Sequence, residues 1–506
     1  MAKHLDAHGK PYNRTMMIIV LLIGTFCTVL NQTLLTTALP KLMNTFSVST
    51  ATVQWLTTAF LMINGIMIPV SAYLSVTISS KWLYISSMLV FFIGTVVAYV
   101  APNFWVLLAA RIIQGAGVGI TMPLLQTIML SIFPQNQRGT ALGIAGIVIG
   151  VAPAVGPTLS GWIIDQYQWR DLFGMLIPIM VIVLIGSFFY MKPVLNTHKQ
   201  KLDWLSLILS TIGFGSLLYG FSEAGNNGWD STQVYVTLIV GAIVVAFFVW
   251  RQFVIPKPFL QLRVFKVGEF TLAAILSSVV MIAMLGVEVV LPLYLQIVHG
   301  MSAFHSGLTL LVGALALAVM SPITGKTFDR LGGRDLAIIG LFLLTVGTIP
   351  FLWLTRSTPT IFIIVLYAIR MFGISMVFMP VTTSGMNALP DKLIADGTAS
   401  NNTVRQVFAS MGSAIMVTIL SNITDSQQPA HHLLTQSPLA YKIKTLDANL
   451  NGYRGAFLFA AIFAAIALIL AFFLKKNPNP NNQGSSKTPG EAHSQAQKTN
   501  KGGQSA

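Results

Sequence analysis

The chain has 506 residues, of which 54% are hydrophobic and only 9% charged, with a mean hydropathy of +0.73 and a formal net charge of +15. A soluble globular chain carries about 25% charged residues, so this composition excludes a water-soluble domain and points to an all-α integral membrane protein. The single cysteine, Cys27, allows no internal disulfide and no cysteine metal cluster, and reads as a small buried hydrophobe.

Fourteen apolar runs follow in chain order, at 16–39, 53–75, 82–101, 104–128, 139–164, 172–191, 203–221, 232–254, 271–297, 304–325, 336–355, 360–385, 398–422 and 453–474. Each is near the ~20 residues a spanning helix needs. The first, "MMIIVLLIGTFCTVL" behind Lys10 and Arg14, is longer than a signal-peptide core and ends in a weak cleavage site. It reads as a retained span. With the N-terminus inside, about 21 basic residues fall in cytoplasmic segments, about 6 outside and 3 within spans. The positive-inside rule therefore predicts both termini in the cytoplasm of a cell, most simply at a bacterial plasma membrane. The net charge reflects topology and attraction to the lipid surface, and no nucleic-acid partner is expected.

The fifth run holds "GIAGIVIGVAPAVGPTLSGWI", an uncharged stretch interrupted by five glycines and two prolines. In water each Pro costs a helix about 3 kcal/mol and each Gly about 1. In lipid the backbone satisfies itself within the helix, and small residues let neighbouring backbones approach.

An internal duplication organises the rest. "RIIQGAGVGITMPLLQTIMLSIFPQNQRGTALG", from Arg111, and "RMFGISMVFMPVTTSGMNALPDKLIADGTAS", from Arg370, share the order Arg, Met-Pro, Pro, Gly-Thr-Ala. The repeat predicts two six-helix bundles, 1–200 and 257–475, separated by two extra helices within 201–256. A disordered tail is expected over 476–506, which is polar, Pro/Gly/Ser-rich and without aromatics. Repeated bundles with a site between them near the midplane mark secondary transporters.

These residues resemble the major facilitator superfamily, in its fourteen-helix drug:proton antiporter branch. Gly146, Gly150, Pro153, Gly156, Pro157 and Gly161 match the antiporter motif of the fifth helix. Arg111, Gln114, Gly115 and Gly119 match its Arg-x-x-Gln-Gly helix. Gly325, Asp329, Arg330, Gly332 and Arg334 match its cytoplasmic gate loop. "GW" at Gly228, "LPLYLQIVHGMSAFHSGL" and "NNTVRQVFASMGSA" are similar to further hallmarks. The resemblance implies that the fifth-helix glycines seal one half against the other, and that Arg111 takes part in proton coupling. It also implies lipophilic small-molecule substrates, protons as the coupling ion and a unit that functions as a monomer.

Two departures stand out. The first helix of the family carries a carboxylate in a run ending Ala-Leu-Pro; here "LNQTLLTTALP" has Asn31 at that place, followed by Gln32. In the first-half loop "SAYLSVTISSK", Ala72 and Val76 replace the gate motif's Gly and Asp. Arg111, Arg370 and Arg405 lie within spans, and Glu288 is the one carboxylate well inside a span. Charges in a bilayer are costly and usually face a pathway or a partner. Glu288 is therefore the expected proton carrier, with Arg111 taking part in coupling; Asn31, Gln32 and Gln114 are the expected polar groups of the substrate cavity and first-helix site. Arg370 and Arg405 have the alternative of snorkelling to an interface.

No phosphate-binding loop, zinc spacing or nucleophile elbow occurs, so neither a cofactor nor an enzyme is expected. His299 and His305 flank an outer loop. The expected function is proton-coupled efflux of lipophilic compounds, cationic, or neutral and zwitterionic given Asn31. The alternative on the same fold is a transporter of one specific metabolite or other small solute.

Overall fold

The computed structural model describes residues 5–35, 37–430 and 432–476; the expected tail from 477 lies outside them. Fourteen helices are long and apolar enough to cross a membrane. They are α1 Arg14–Thr33, α2 Thr52–Thr77, α3 Ser80–Val100, α4 Phe104–Ile132, α5 Gln135–Gln166, α6 Asp171–Tyr190 and α7 Trp204–Gly225. The remainder are α8 Thr232–Val254, α9 Gly268–Ile297, α10 Phe304–Leu331, α11 Gly333–Trp353, α12 Thr360–Asn387, α13 Asp391–Ser426 and α14 Pro438–Ala471. Every apolar run expected from the sequence is a helix, and the protein is a multi-pass membrane protein.

Several starts are set by side-chain caps. Asn13, Ser49, Asn103, Asp203 and Ser302 each accept a hydrogen bond from a first-turn amide, a group with no partner inside the helix. Helix ends differ from the apolar runs where polar residues extend a helix past the oily stretch. The last helix begins at Pro438 rather than 453, and α13 starts at Asp391 rather than 398. Conversely α1 stops at Thr33, before the expected 39, and a short helix Leu39–Phe46 follows.

The lipid-facing surface is apolar: Ile182, Phe189, Ile243 and Ile361 are all more than half exposed. Trp82, Trp105, Trp204, Trp250 and Trp353 are exposed near helix ends, the level at which indoles sit in a bilayer. Both ends of the helical region lie on one face, where Lys475 and Lys476 pair with Glu269 at the start of α9 and Asp335 at the start of α11.

Contacts among α1–α6 and among α9–α14 build two groups, and α5 against α10 is the most extensive single helix pair. On the opposite side of the molecule α7 packs on both α2 and α13, with α8 outside it. Thr58 and Ser222 share a hydrogen bond of 3.0 Å, Trp55 stacks on Tyr219, and Trp229 donates to Thr418 at 2.7 Å. The α7–α8 pair is clamped by Arg251 to Asp203 at 3.0 Å, and burial of that carboxyl is outweighed by the Arg251 and Ser206 hydrogen bonds, which hold it below the usual carboxylate range.

Candidate functional site

The seam between the two groups is built on glycine. A Cβ at Gly143 would lie 2.5 Å from the Ser321 carbonyl oxygen, and one at Gly139 2.7 Å from that of Gly325. A Cβ on Gly325 itself would come within 3.1 Å of the Gly143 Cα, and one on Gly146 within 3.0 Å of the Ser321 side chain. Gly150 stands against Leu317. Positions 139, 143, 146 and 150 share one face of α5, and only hydrogen-sized groups there allow the two backbones to meet.

The stripe is not continuous, which corrects the sequence expectation for Gly156. That residue packs against Thr33 of α1, inside its own group. Six positions at ~100° each carry it about 120° off the Gly150 face, whereas eleven bring Gly161 back to within ~20°. Gly161 accordingly lies beside Phe304 of α10. The regular helix runs unbroken from Arg138 to Gln166 through Pro153 and Pro157.

At the face where α5 begins and α10 ends, Asp329 reaches across the seam. It accepts hydrogen bonds from the Gly139 and Thr140 amides, both at 2.8 Å, and from Thr140 Oγ1 at 2.5 Å. A carboxylate on first-turn amides is the arrangement that the positive end of a helix favours. Arg330 and Arg334 make no ion pair among the described residues; Asp329 bonds to helix α5 and to neither of them. Gly332 supplies the turn from α10 to α11 with φ of +85°, a region open chiefly to glycine. Alongside, Arg138 pairs with Asp391 at 2.7 Å, and Gln135 donates to the Asn387 carbonyl at 3.0 Å.

The pseudo-equivalent place in the first group lacks the carboxylate. Val76 offers only its carbonyl, which accepts from the His198 amide at 2.9 Å, while Ala72 is buried in a cluster with Phe259 and Ala399. Here the segments flanking α7 and α8 dock instead: the Gln261 amide donates to Asp396 at the start of α13, at 3.0 Å.

Besides Arg138 at the seam, Arg111, Arg370 and Arg405 are buried in the interior. Arg111 donates through Nε to the Leu56 carbonyl at 3.1 Å and through Nη1 to Gln114 Oε1 at 2.8 Å and the Asn31 carbonyl at 3.4 Å. Its guanidinium lies 4.0 Å from the centre of the Phe60 ring. Gln114 also accepts from Asn31 Nδ2 at 3.2 Å and donates to Thr95 at 3.0 Å. Glycines make this possible: a Cβ at Gly115 would sit 2.7 Å from the Phe60 carbonyl oxygen, so α4 lies against α2. Asn31, Gln114 and Arg111 thus come together as expected. Gln32 is half-buried and makes no hydrogen bond among the described residues.

In the second group Arg370 is fully buried and does not snorkel. It donates to Thr348 at 3.1 Å, to the Met284 carbonyl at 3.3 Å and to the Ala283 carbonyl. Glu288 follows one turn along α9, half-buried, within electrostatic range of Arg370 and Tyr367. It makes no hydrogen bond or ion pair among the described residues. Arg111 and Glu288 therefore belong to different groups, and Arg370, rather than Arg111, is the cation nearest the carboxylate.

Arg405 is also buried, with its guanidinium 4.3 Å from the centre of the Phe378 ring. Its neighbours on α13 include Asn402, which donates to Gln126 of α4 at 2.8 Å across the seam, and Asn401, which accepts from Ser277 at 3.0 Å. Sequence reasoning missed Gln126, Asn401 and Asn402. The signal was present, since "NNTVRQ" places three carboxamides and a guanidinium within two turns of an apolar run. The outer histidines are structural: His305 shares a 2.8 Å hydrogen bond with the cap Ser302, and His299 one of 2.8 Å with Tyr294. Burial pushes the His299 imidazole below its usual range, which keeps it neutral.

A family model described as Major Facilitator Superfamily matches residues 21–413. The chain belongs to the major facilitator superfamily. It is a transporter and not an enzyme. It is 48% identical over 474 residues to the uncharacterized MFS-type transporter YcnB of Bacillus subtilis, covering 94% of this chain and 98% of that one. It is 40% identical to the lincomycin resistance protein LmrB of Listeria innocua, over 93% of this transporter and 99% of the relative. The multidrug export protein EmrB of Escherichia coli K12 is 28% identical, with 86% of each chain covered. Among solved structures, the human organic anion transporter MFSD10 aligns with a TM-score of 0.61 at 14% identity, over 89% of this chain and 99% of that one. The proton:xylose symporter XylE aligns at 0.60 and 13%, over 92% and 96%. These two structural likenesses bear on the fold.

Proposed function

We propose that this transporter exports lipophilic compounds in exchange for protons by alternating access. Residues 1–200 and 257–475 would rock as two bundles about the α5–α10 seam, with 201–256 as an inserted pair and both termini in the cytoplasm. The relatives named for lincomycin resistance and multidrug export support the substrate class. The observation that carries the coupling is the position of Glu288: a half-buried carboxylate well inside α9, without a hydrogen-bond partner among the described residues, one turn from the carbonyls that hold Arg370. Such a group binds a proton when the outer side is open and releases it when the site turns inward. Asn31 cannot titrate, so the Arg111 cluster serves as a fixed positive element beside the path.

Acid-inside everted vesicles containing the protein are expected to accumulate a lipophilic dye and to lose it on addition of an uncoupler. Accumulation equal to that of protein-free vesicles, or insensitive to the uncoupler, would contradict proton-driven export. Tags at both termini are expected to be reachable only from the cytoplasmic side.

A further inference from the structure

The strongest unexplained feature is the environment of Arg405. Its side chain is 8% exposed and, among the described residues, makes no hydrogen bond; its only recorded partner is the face of Phe378. Arg111, Arg370 and Arg138, the other buried arginines, differ, because each holds a backbone carbonyl. A guanidinium nitrogen enclosed without a hydrogen bond, as Arg405 Nη1 is, is costly, and the face of Phe378 offsets only part of that cost.

Arg405 does not stand alone. Arg405 Nη1, Asn401 Nδ2, Gln126 Nε2 and Ser400 Oγ are all enclosed atoms without a partner. Asn401 and Arg405 are four apart on α13, hence neighbours on one face about 5–6 Å apart at Cβ. Gln126 is tied to the same stretch by its bond with Asn402. Three of the four orphans are N–H donors with no acceptor capacity. No ion pair joins Arg405 to a carboxylate among the described residues. The wider field has the same sign: within the apolar runs Arg111, Arg251, Arg370, Arg405 and Arg454 outnumber Asp203 and Glu288, a balance that attracts anions and repels cations.

We propose that Arg405, Asn401 and Gln126 form a seat for a carboxylate carried by the transported compound. A guanidinium flanked by carboxamide N–H groups matches a carboxylate, which accepts on both oxygens and at up to about four lone pairs. The seat lies on the seam, where α13 meets α4, so the Gln126–Asn402 bond breaks as the two groups part and the donors become available. Loading from the cytoplasm rests on the export reading above; the seat itself does not. The substrate class is thereby narrowed to lipophilic acids and zwitterions, against the lipophilic cations that the family resemblance suggests.

The test is equilibrium binding to the purified full-length protein without a proton gradient, using 2-naphthoate, its methyl ester and a naphthylmethyl-trimethylammonium cation as matched probes. Naphthoate is expected to bind at least tenfold more tightly than either of the others. Arg405→Gln should remove that preference and Arg405→Lys keep part of it. Asn401→Ala and Gln126→Ala, milder changes to the fold, should each weaken naphthoate at least threefold while leaving the ester unchanged. Equal or tighter binding of the cation would overturn the seat, as would wild-type preference in Arg405→Gln or wild-type affinity in both alanine variants. A naphthoate preference in a protein that fails the vesicle assay would sink the export reading and leave the seat standing.

Discussion

The two six-helix groups answer the same problem, a buried arginine on the fourth helix of each, in different ways. In the first, Arg111 is held by Leu56, Asn31 and Gln114, and no carboxylate takes part. In the second, Arg370 takes two carbonyls of α9 and Thr348, and Glu288 stands a turn away with its carboxyl free of hydrogen bonds among the described residues. The gates differ in the same spirit. Asp329 of the second group caps α5 of the first, whereas Val76 leaves α13 without the reciprocal cap. The carboxyl free of hydrogen bonds and the carboxyl that caps the opposite helix both belong to the second group. Asn31 lies ~17 residues into α1 and Glu288 ~20 into α9, a difference of less than a turn at ~1.5 Å per residue, so a carboxylate role shifted between bundles keeps its depth.

That contrast is easiest to break at the seam. Gly143→Leu forces a side chain onto the Ser321 backbone, which has no rotamer to yield, and transport is expected to fall at least 100-fold with membrane insertion unchanged, as read by vesicle accumulation and yield. Gly156→Leu meets the Thr33 side chain instead and should inhibit less; an equal loss would mean that the α1 contact matters as much as the seam. Asp329→Asn comes next. Hydrogen bonds to a charged group are worth about 1.5–3 kcal/mol each, so weakening this cap should widen the distance between spin labels at Gln135 and Asn387 in a tenfold larger share of molecules. An unchanged distance distribution would remove Asp329 from the gate. Val76→Asp tests the missing latch from the other direction. A carboxylate near a helix N-terminus stabilises by about 0.3–1 kcal/mol, and a two- to fivefold bias toward the state closed on that face is expected in the same measurement. The smallest effect belongs to His299. Its depressed pKa means that the folded state prefers the neutral ring, a contribution present above the unfolded pKa near 6.5 and lost as pH falls below it. His299→Gln should therefore flatten a slight acid-side fall in thermal stability and leave the transport rate within twofold.

Much of this was legible in the sequence because a bilayer leaves few options. Length and hydropathy gave every spanning helix, and the repeat beginning at Arg111 and Arg370 gave the correspondence between groups. Arg111 and Gln114, three apart on α4, meet Asn31 of α1, a grouping that followed from the family resemblance and not from spacing. What escaped was partnership across helices. That Gly156 turns to Thr33 follows from helix phase, which a motif read as a string does not display. That Asp329 caps α5 rather than serving Arg330 and Arg334 depends on two helix ends meeting, 190 residues apart in sequence. Arg370 and Arg405 had a snorkelling alternative because hydropathy reports depth only roughly; burial removed it. Gln126, Asn401 and Asn402 were passed over because carboxamides in an oily run carry no charge signal, and their meaning lies in the atoms left unpaired.

The assignment of the proton to the second group stands or falls on Glu288→Gln, measured in acid-inside proteoliposomes for uphill accumulation alongside equilibrium binding of the same compound. The exchange removes titration while keeping size and most hydrogen bonding. Uphill accumulation is expected to vanish with binding retained, and Asn31→Asp in that background should restore part of it. Wild-type accumulation by Glu288→Gln would contradict the assignment outright and move coupling to another group.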